Sequence, residues 1–408
     1  MIKKSKATAI TIVACILTAL LTFFIVTNGF GYSNLATTAS STVSTDNTTF
    51  TANDYKLLEE VRTRIKNYYY KDVDDTTLID GAVKGMVESL GDDYSEFYTA
   101  QEYNNLLDSV SGEYYGIGVL IGIDKETKNV VIVKVFSDSP AQKVGLQAGD
   151  IFTKVEDTDV TGADLEDLTA LVKGKKGTTV KVVVDRGGIE KTFTVTRDKI
   201  EVETVTSKML DNSIGYINIS QFASNTADKF VTQLDTLINK GAKGVIVDVR
   251  DNPGGLLDQV TIIADKLLPA GNIVYTLDKS GKKFEYNSGA SYTDVPLVLL
   301  VNGNSASASE ILAGAIQDYS RGKIVGTTTF GKGIVQTMIP ITNESGSGLK
   351  LTTSTYYTPK GRSIHLLGIE PDVVVEMAKD LIDDPTKITE SNDTQLLKAI
   401  EIIKTQIK

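Results

Sequence analysis

The sequence of 408 residues contains few of the side chains that build metal and redox centres. Cys15 is its one cysteine and His365 its one histidine. A single cysteine excludes intrachain disulfides, thiolate metal sites and CxxC redox motifs, and a single histidine excludes zinc sites built on paired histidines. Any serine–histidine catalytic pair would have to use His365. We therefore expect neither a metal nor a cofactor.

Basic charge is also scarce. The chain has 42 Lys and Arg against 52 Asp and Glu, a formal net charge of −10, and no basic cluster stands out beyond the first six residues. Nucleic-acid binding needs a concentrated basic face, so we expect no nucleic-acid partner. The 41% hydrophobic and 23% charged fractions are typical of a globular protein, and the length allows two or three domains.

The N-terminus has the pattern of a membrane anchor. Lys3, Lys4 and Lys6 precede an uncharged, apolar segment, residues 7–26, which as a helix would span roughly 30 Å, about the thickness of the hydrocarbon core. The lysines favour a cytoplasmic N-terminus. We predict an uncleaved single-pass anchor within residues 1–31 of a bacterial-type cell membrane, with the rest of the chain on the extracytoplasmic side.

Two other interpretations of this segment fit less well. A cleaved signal peptide has a shorter apolar region of about 7–15 residues. Residues 12–15 loosely resemble a lipoprotein cleavage box, but the apolar segment continues well past Cys15.

The periodicity beyond the anchor predicts several domains, and so an α/β (α+β) multidomain protein. Residues 32–51 are rich in Ser and Thr and form a flexible spacer. Residues 52–110 are predicted to be helical because apolar residues recur at a spacing of three to four, namely Leu57, Leu58, Val61 and Ile65, then Leu78, Ile79, Ala82, Met86 and Leu90. Residues 111–198 are β-rich, with strands predicted at 129–136 and 179–185 and short helices at 141–144 and 165–172.

From residue 199 to 380 the pattern is a strand, a turn and a helix, repeated. Strands are predicted at 244–249 and 296–302, and helices at 256–268 and 310–319. Near-continuous apolar strands that alternate with amphipathic helices indicate a sheet covered on its faces. Residues 381–408 form a tail that ends in an amphipathic helix.

The β-rich domain begins with Gly116, Ile117, Gly118 and Val119. Consecutive backbone N–H groups in a tight turn form an anion site, and glycine permits close approach; a simple bend is the alternative for this motif alone. Ser-Pro-Ala, Val-Gly-Leu and Gly-Asp-Ile follow in order, and the whole set resembles a PDZ domain. The resemblance implies that residues 116–119 bind a peptide's terminal carboxylate while the peptide adds as a strand to the sheet edge.

A serine-rich turn, residues 303–309, lies between a predicted strand and a predicted helix. A nucleophilic serine suits this place because a helix N-terminus favours an alkoxide and the oxyanion that follows. Spacing does not choose among Ser305, Ser307 and Ser309. Ser307 and Glu310 also have the S-x-x-E spacing of a capping box, so a helix cap stays open as the alternative.

A glycine-flanked lysine is the candidate base. Residues 326–333 nearly spell a phosphate-binding loop, but Gly333 replaces the required hydroxyl residue and a strand-like segment follows, which excludes a nucleotide. Lys332 can act as a base if burial lowers its pKa from about 10.4, and Phe330, Ile334 and Val335 flank it. A solvated hairpin lysine is the alternative. The turn at 250–255 offers N–H groups for an oxyanion, although Pro-Gly is also ordinary turn chemistry.

Taken together, these segments resemble the C-terminal processing peptidases, or tail-specific proteases. The shared motifs are DDYSEFY (92–98), the PDZ set, DVRDNPGGLL, NSASASEILAGAIQD, TTFGKGIVQ and YYTPKGRSIHLLGIEPD. The resemblance implies a crotonase-like α/β core with Ser307 as nucleophile, Lys332 as general base and Gln336 orienting the lysine. It also implies an oxyanion hole from Ala308 with Gly254 or Gly255, and self-association through the terminal helices.

The predicted function is therefore that of a serine endopeptidase that binds the C-terminal tails of proteins outside the membrane and cleaves them through an acyl-enzyme. Its substrates are either a pool of damaged proteins or a signalling protein. The alternative is an inactive PDZ-bearing scaffold or regulator of another membrane protease.

Overall fold

The structure, a computed structural model, describes residues 50–124, 127–210, 213–341, 346–383 and 385–407. The chain divides into two compact units, Met1–Val73 and Asp74–Lys408. The predicted membrane anchor and nearly all of the predicted spacer lie outside the described residues. Within the described ranges, every helix is too short or too polar to cross a lipid bilayer.

The described part of the first unit is dominated by helix α1, Ala52–Tyr68. It begins at a capping box, in which the Thr51 hydroxyl accepts from the Asp54 N–H and the Asp54 carboxylate accepts from the Thr51 N–H. The apolar residues that predicted this helix are about half exposed: Leu57, Leu58 and Val61.

The second unit begins with two helices and a short strand, which are α2 (Asp75–Glu88), β1 (Glu96–Tyr98) and α3 (Ala100–Ser111). The sequence predicted helices throughout this region. Strand β1 interrupts them because it pairs with a distant strand, residues 348–350, and apolar periodicity does not reveal such a partner. Helix α3 ends at Gly112, whose φ of +69° suits glycine.

The β-rich domain has a five-stranded antiparallel sheet in the order β3-β4-β5-β7-β8, with β6 beside β5 and a separate β2–β9 pair. Phe152, Leu168 and Val180 are fully buried in its core. All four of the predicted segments are confirmed. The elements are β2 (Glu113–Gly116), β3 (Val119–Ile123), β4 (Val130–Val135), α4 (Pro140–Val144), β5 (Ile151–Val155), β6 (Thr158–Asp159), α5 (Leu165–Val172), β7 (Thr179–Asp185), β8 (Glu190–Thr196) and β9 (Asp198–Glu201).

The remaining residues form the predicted α/β region. Its elements are β10 (Val205–Leu210), β11 (Ile214–Ile219), α6 (Thr226–Asn239), β12 (Gly244–Asp248), α7 (Leu257–Leu267), β13 (Gly271–Asp278), β14 (Lys283–Ser288), β15 (Leu297–Val301), α8 (Ala308–Asp318), β16 (Lys323–Gly326), β17 (Ile334–Pro340), β18 (Gly348–Tyr357), β19 (Val373–Val374), α9 (Lys379–Asp383), a 3₁₀ turn (Pro385–Lys387) and α10 (Thr394–Gln406).

Its main sheet has the order β10-β11-β12-β15-β16-β19, and only the β10–β11 pairing in it is antiparallel. Successive residues of a strand point to opposite faces. Val245 and Val247 accordingly pack with helices α6, α7 and α8, whereas Ile246 packs against α10. The sheet is therefore covered on both faces, as its near-continuous apolar strands predicted.

A second, antiparallel sheet carries the candidate base. Strand β18 pairs with β1, β13 and β17, and β14 adds to β13. Strand β17 follows the Lys332 loop and lies at the sheet edge, with a bulge between Val335 and Gln336. A bulge re-aims side chains and is common beside active sites.

A buried ion-pair network joins the end of β12 to the start of α10. The Arg250 guanidinium contacts the carboxylates of Asp248 at 2.6 Å and Asp393 at 2.8 Å, and the three side chains are 12%, 3% and 4% exposed. Asp393 also caps α10 by accepting from the Leu396 N–H at 2.9 Å.

Replacing Arg250 with methionine is expected to destabilise the α/β region by about 3–5 kcal/mol, because it leaves two buried carboxylates unpaired. A lower urea midpoint, followed by circular dichroism, would measure this loss. Lys398→Met removes a surface pair with Glu401 on the same helix and should change stability by less than about 1 kcal/mol. Equal midpoints for the two variants would contradict the expectation.

Candidate active site

The serine-rich turn connects strand β15 to helix α8. Ser307 is the last residue before the helix and has φ +54° and ψ −113°. A positive φ is uncommon for a residue with a side chain, and such strain persists mostly at functional sites. The turn places Ser307 at a helix N-terminus, where the backbone favours negative charge.

The three serines of this turn have different surroundings. Ser305 is buried and donates its hydroxyl to the Val249 oxygen at 2.7 Å. Ser309 is buried and donates its hydroxyl to the Asn252 oxygen at 2.9 Å. Ser307 is half-buried and lines a cavity. Because the other two hydroxyls are bound to backbone oxygens, Ser307 is the serine whose position suits a nucleophile.

The glycine-containing turn after β12 packs directly against Ser307. Asn252 fixes this turn, since its side-chain nitrogen donates to the Ile219 oxygen at 2.8 Å and its side-chain oxygen accepts from the Gly254 N–H at 2.9 Å. A Cβ on Gly254 would lie 2.8 Å from the Ser307 Cβ. Gly254, with φ +106°, therefore permits an approach that any side chain would prevent.

Two backbone N–H groups beside Ser307 are available to an oxyanion. Among the described residues, the N–H groups of Gly255 and Ala308 have no hydrogen-bond acceptor, and both residues line the cavity. The Gly254 N–H is already donated to Asn252. The sequence predicted Ala308 with either glycine, and the geometry favours Gly255.

Lys332 lies in the loop before β17 and is half-buried. Its Nζ is 4.6 Å from the centroid of the Tyr94 ring, a cation–π distance. Burial lowers the pKa of Lys332 below its ordinary value, and the Lys350 ammonium lowers it further, against the raising effect of the Asp92 and Glu310 carboxylates. The lysine is therefore shifted in the direction that a general base requires.

The source of this burial differs from the one predicted. Ile334 is buried and lines the cavity, but Phe330 is 56% exposed and contributes little. Tyr94 and Asp92 belong to the distant segment 92–98. That segment contacts Lys332 because strand β1 pairs with β18.

Gln336, on β17, lines the same cavity. Its side-chain nitrogen donates to the Thr352 hydroxyl at 3.2 Å. Among the described residues, the Lys332 Nζ makes no hydrogen bond to Ser307 or Gln336. The three predicted catalytic side chains thus share one cavity without being joined, and the orienting role of Gln336 stays a prediction.

The cavity around these groups has a volume of about 210 Å³. Helix α3 forms one wall through Leu106 and Val110, and β17 forms another. As far as the structure describes the chain, the lining contains two lysines, Lys332 and Lys350, and no carboxylate. The other lining residues are Pro253, Gly255, Leu256, Leu257, Ser307, Ala308, Ile311, Ile334, Val335, Gln336, Met338 and Tyr356.

A larger cavity, of about 490 Å³, lies at the carboxyl ends of the parallel strands. Asp251, Asn302 and Met377 are among the residues that line it, together with Arg250 of the buried ion-pair network. We assign the candidate site to the smaller cavity because the strained serine and the lysine of lowered pKa both line it. A nucleophile, a base and two unpaired N–H groups in one place suit acyl transfer.

Comparison with known proteins agrees with this geometry. Residues 213–375 match Peptidase family S41. The "Carboxy-terminal processing protease CtpA" of Bacillus subtilis (strain 168) is 38% identical over 344 residues, which cover 83% of this chain and 73% of the relative. This chain belongs to peptidase family S41. It is a serine peptidase of the carboxy-terminal processing protease type, and the predicted family is confirmed.

Other S41 relatives agree. The "Carboxy-terminal-processing protease" of Bartonella bacilliformis is 36% identical over 86% of this chain and 82% of its own. A solved structure of a putative S41 protease from Bacteroides fragilis shares the fold at 15% identity, with a TM-score of 0.50 over 86% of this chain and 98% of that one. Residues 16–102 match the N-terminal domain of the activating protease CtpB.

The β-rich domain of this S41 peptidase is a PDZ domain, since residues 117–196 match that family. Within the described chain, strand β3 pairs with β4 alone, so its outer edge is open to an added strand. Helix α5 contacts β3. An open edge beside a helix is the arrangement that strand addition of a peptide requires.

The predicted carboxylate-binding residues lie at the start of this edge. Gly116, Ile117 and Gly118 are buried, and Val119 begins β3. Gly118 has φ +83°, and a Cβ there would clash with Ser139. Among the described residues, the N–H groups of Ile117 and Gly118 have no hydrogen-bond acceptor. Their binding of a peptide carboxylate stays a prediction.

Sequence reasoning missed the role of Glu310, which is fully buried. Its carboxylate accepts four hydrogen bonds, from the N–H groups of Ser307 (2.9 Å), Lys332 (2.8 Å) and Gly331 (2.7 Å) and from the Thr329 hydroxyl (2.6 Å). The S-x-x-E spacing was the available signal. It revealed the bond to Ser307 but not the three bonds to the lysine loop.

Tyr356 is a second residue that the sequence did not single out. Its hydroxyl contacts the main-chain oxygens of Ser307, at 3.0 Å, and of Lys332. Burial raises the pKa of Tyr356 well above its ordinary value, so the hydroxyl keeps the proton that it donates. Tyr356 and Glu310 therefore both connect the serine-rich turn to the Lys332 loop.

Lys350→Met is expected to shift the rising limb of the pH profile of kcat/KM to higher pH. A lysine base acts in its neutral form, and the Lys350 ammonium lowers the pKa of Lys332. Losing that charge raises the pKa of Lys332 and leaves less neutral amine at a given pH. Lys350→Arg keeps the charge and should keep the limb near its wild-type position. An unmoved limb in the methionine variant would contradict this prediction.

Glu310→Gln is expected to lower kcat/KM by about 100-fold or more, or at least ~2.7 kcal/mol in the barrier. The amide keeps the shape but directs donors at N–H groups, so charge-assisted hydrogen bonds worth about 1.5–3 kcal/mol each are lost. Steady-state kinetics on protein with a wild-type circular dichroism spectrum would measure the effect. Glu285→Gln, at an exposed pair with Lys283, is the control. Full activity in a folded Glu310→Gln enzyme would exclude a role for the carboxylate in positioning the site.

Proposed function

We propose that this S41 peptidase is an endopeptidase that binds the C-terminal tails of proteins through its PDZ domain and cleaves them at a Ser307–Lys332 dyad. One observation carries the proposal: a strained serine at a helix N-terminus shares a cavity with a half-buried lysine of lowered pKa. The proposal includes a crotonase-like arrangement for the α/β core, which the covered parallel sheet supports.

The reaction begins with Ser307. Its Oγ attacks the substrate carbonyl carbon while the neutral Lys332 amine takes the hydroxyl proton. The carbonyl oxygen becomes an oxyanion, which the N–H groups of Ala308 and Gly255 and the N-terminus of α8 stabilise. The C–N bond then breaks, Lys332 returns its proton to the leaving amine, and an ester to Ser307 remains.

Water completes the reaction. Lys332 removes a proton from water as the oxygen attacks the ester carbon, and the second tetrahedral intermediate uses the same N–H groups. The ester C–O bond breaks, Ser307 regains a proton from Lys332, and the product leaves as a carboxylic acid that loses its proton to water.

The described arrangement corresponds to a resting site in this proposal. The Lys332 ammonium lies over Tyr94 and the Gln336 side chain is bonded to Thr352. For proton transfer, the lysine has to leave the ring and approach the Ser307 hydroxyl, with Gln336 turning to orient it. In the proposal both moves are changes of side-chain rotamer, which the shared cavity supports.

Helix α3 is the proposed connection between the PDZ domain and the site. It lines the cavity through Leu106 and Val110 and leads into the PDZ strand β2 after Gly112. Asp108, on the same helix, pairs with Lys173 of the PDZ domain at 3.5 Å. A peptide that shifts the PDZ domain would therefore move a wall of the cavity.

The proposed substrate tail is apolar, and the apolar wall of the catalytic cavity supports apolar substrate residues near the cleaved bond. The membrane anchor at residues 1–31, with an extracytoplasmic peptidase, is supported by the uncharged segment 7–26 after three lysines. Self-association through the terminal helices is supported by the exposed apolar side chains Leu57 and Leu58 of α1 and Leu397 of α10.

The test is degradation of an unfolded protein with an apolar C-terminus by the 408-residue chain. Ser307→Ala and Lys332→Ala should both reduce cleavage to background, because each removes a group that takes part in bond making. Ser207→Ala, at an exposed position on β10, is the matched control and should cleave at the wild-type rate. Equal rates in all four proteins would refute the dyad and leave the PDZ-bearing scaffold as the better description.

A further inference from the structure

The catalytic cavity contains a second lysine that the proposed mechanism does not use. Lys350 lies on β18, directly opposite Met338 on β17 and Glu96 on β1. Directly opposite residues of antiparallel strands point to the same face of the sheet, and Met338 lines the cavity. Lys350 therefore presents its ammonium to the same space as Ser307.

The Lys350 ammonium is held in place but not fully bonded. Its Nζ is 2.6 Å from the Tyr98 hydroxyl oxygen and 3.4 Å from the Glu96 carboxylate. An ammonium carries three N–H donors. Among the described residues, the third donor has no acceptor. The Lys350 side chain is 27% exposed, and Lys350 is one of the residues that line the cavity.

Glu96 neutralises this charge only in part. Its side chain is 58% exposed, and solvent-exposed ion pairs are weak because water screens them. Glu96 and Tyr98 therefore fix where the ammonium lies, and its charge still acts on Lys332, whose pKa it lowers.

The charge of the cavity indicates what complements it. In the part of the chain that the structure describes, the lining has two lysines, Lys332 and Lys350, and no carboxylate. The walls near them are apolar, through Leu106, Val110 and Met338, and an apolar wall strengthens an ion pair that forms against it. A carboxylate placed against Lys350 would accept the third N–H in a charge-assisted bond.

We propose that Lys350 forms an anion subsite of the active site, which binds a carboxylate of the substrate near the scissile bond. The inference rests on the proposed peptidase site. Lys350 is opposite Met338, two residues beyond Gln336, which is about 7 Å at the rise of a β-strand. The bound carboxylate is therefore within two to three substrate residues of the cleaved bond. It belongs either to an Asp or Glu side chain or to the substrate's own C-terminus.

The first arm of the test uses pairs of peptides that are identical except for Asp in one and Asn in the other. The variable residue is placed in turn at each of the three positions before and the three positions after the cleaved bond. Wild-type enzyme is expected to prefer the Asp peptide by about tenfold in kcat/KM at one position or more. Lys350→Met should reduce this ratio to about one, and Lys350→Arg should keep most of it. Because the ratio is taken within one enzyme at one pH, any change in the ionisation of Lys332 cancels.

The second arm compares a free C-terminal carboxylate with a C-terminal amide on otherwise identical peptides. If Lys350 binds the terminal carboxylate, the preference for the free acid should disappear in Lys350→Met. A preference that persists in that variant belongs to the PDZ domain and excludes the terminal carboxylate as the ligand of Lys350. If Lys350→Met keeps both the Asp preference and the free-acid preference, the proposal is overturned.

Lys208→Met is a closely matched control. Lys208 is also a strand lysine that pairs with a glutamate, Glu390, and its Nζ lies 5.3 Å from the Tyr216 ring centroid. Lys350 has the same relation to the Tyr98 ring, at 5.2 Å. Lys208 lies outside the catalytic cavity lining, so both peptide ratios should stay at wild-type values.

A second variant keeps the test decisive if Lys350→Met folds poorly. Glu96→Gln removes the carboxylate that competes for Lys350 and should raise the Asp-to-Asn ratio above the wild-type value. An unchanged or lower ratio would count against the subsite. Failure of the proposed peptidase site has a different signature, since Ser307→Ala would then cleave every peptide as the wild type does.

Discussion

The Glu310 carboxylate connects the two halves of the active site. It is completely buried and accepts hydrogen bonds from the Ser307 N–H on one side and from the Gly331 and Lys332 N–H groups on the other. A buried ionised carboxylate without such partners would be strongly unfavourable. The serine-rich turn and the Lys332 loop must therefore keep their relative positions, because otherwise the Glu310 carboxylate would lose hydrogen bonds. The buried Tyr356 hydroxyl also connects the two segments, because it contacts the backbone oxygens of Ser307 and Lys332.

Within this backbone, and among the described residues, the Lys332 Nζ makes no hydrogen bond to Ser307 or Gln336. The Ser307 backbone is strained and Gly254 packs against its Cβ, so the proposed nucleophile and the unpaired N–H groups are preorganised. The protonation of Lys332 is subject to opposing effects. Burial and the Lys350 ammonium favour its neutral form, while Asp92, Glu310 and the Tyr94 ring favour its charged form. These neighbours therefore act on the pKa of Lys332 in opposite directions, with burial as the largest effect.

The composition of the cavity wall follows from how the domains are joined. Helix α3 supplies apolar side chains to the cavity and connects it to the PDZ domain, while strand β1, just before it, holds Lys350 through Glu96 and Tyr98. One short stretch of chain, from residue 92 to 111, thus contributes to the base, to the proposed anion subsite and to the link with the PDZ domain.

The sequence by itself determined the elements of the core and the identity of the family. Near-continuous apolar strands such as β12 and β15, and helices such as α7 and α8, follow from local periodicity, and the ordered motifs indicated a C-terminal processing peptidase with a PDZ domain. Spacing alone did not separate Ser307 from Ser305 and Ser309, and the family resemblance pointed to Ser307. The tertiary structure added the physical difference, because the other two hydroxyls donate to backbone oxygens of the neighbouring turn. The tertiary structure also showed that the aromatic neighbour of Lys332 is Tyr94 and not Phe330, and it revealed Lys350 in the same cavity. These contacts join residues far apart in the chain, and local spacing contains no information about which distant side chains a sheet brings together.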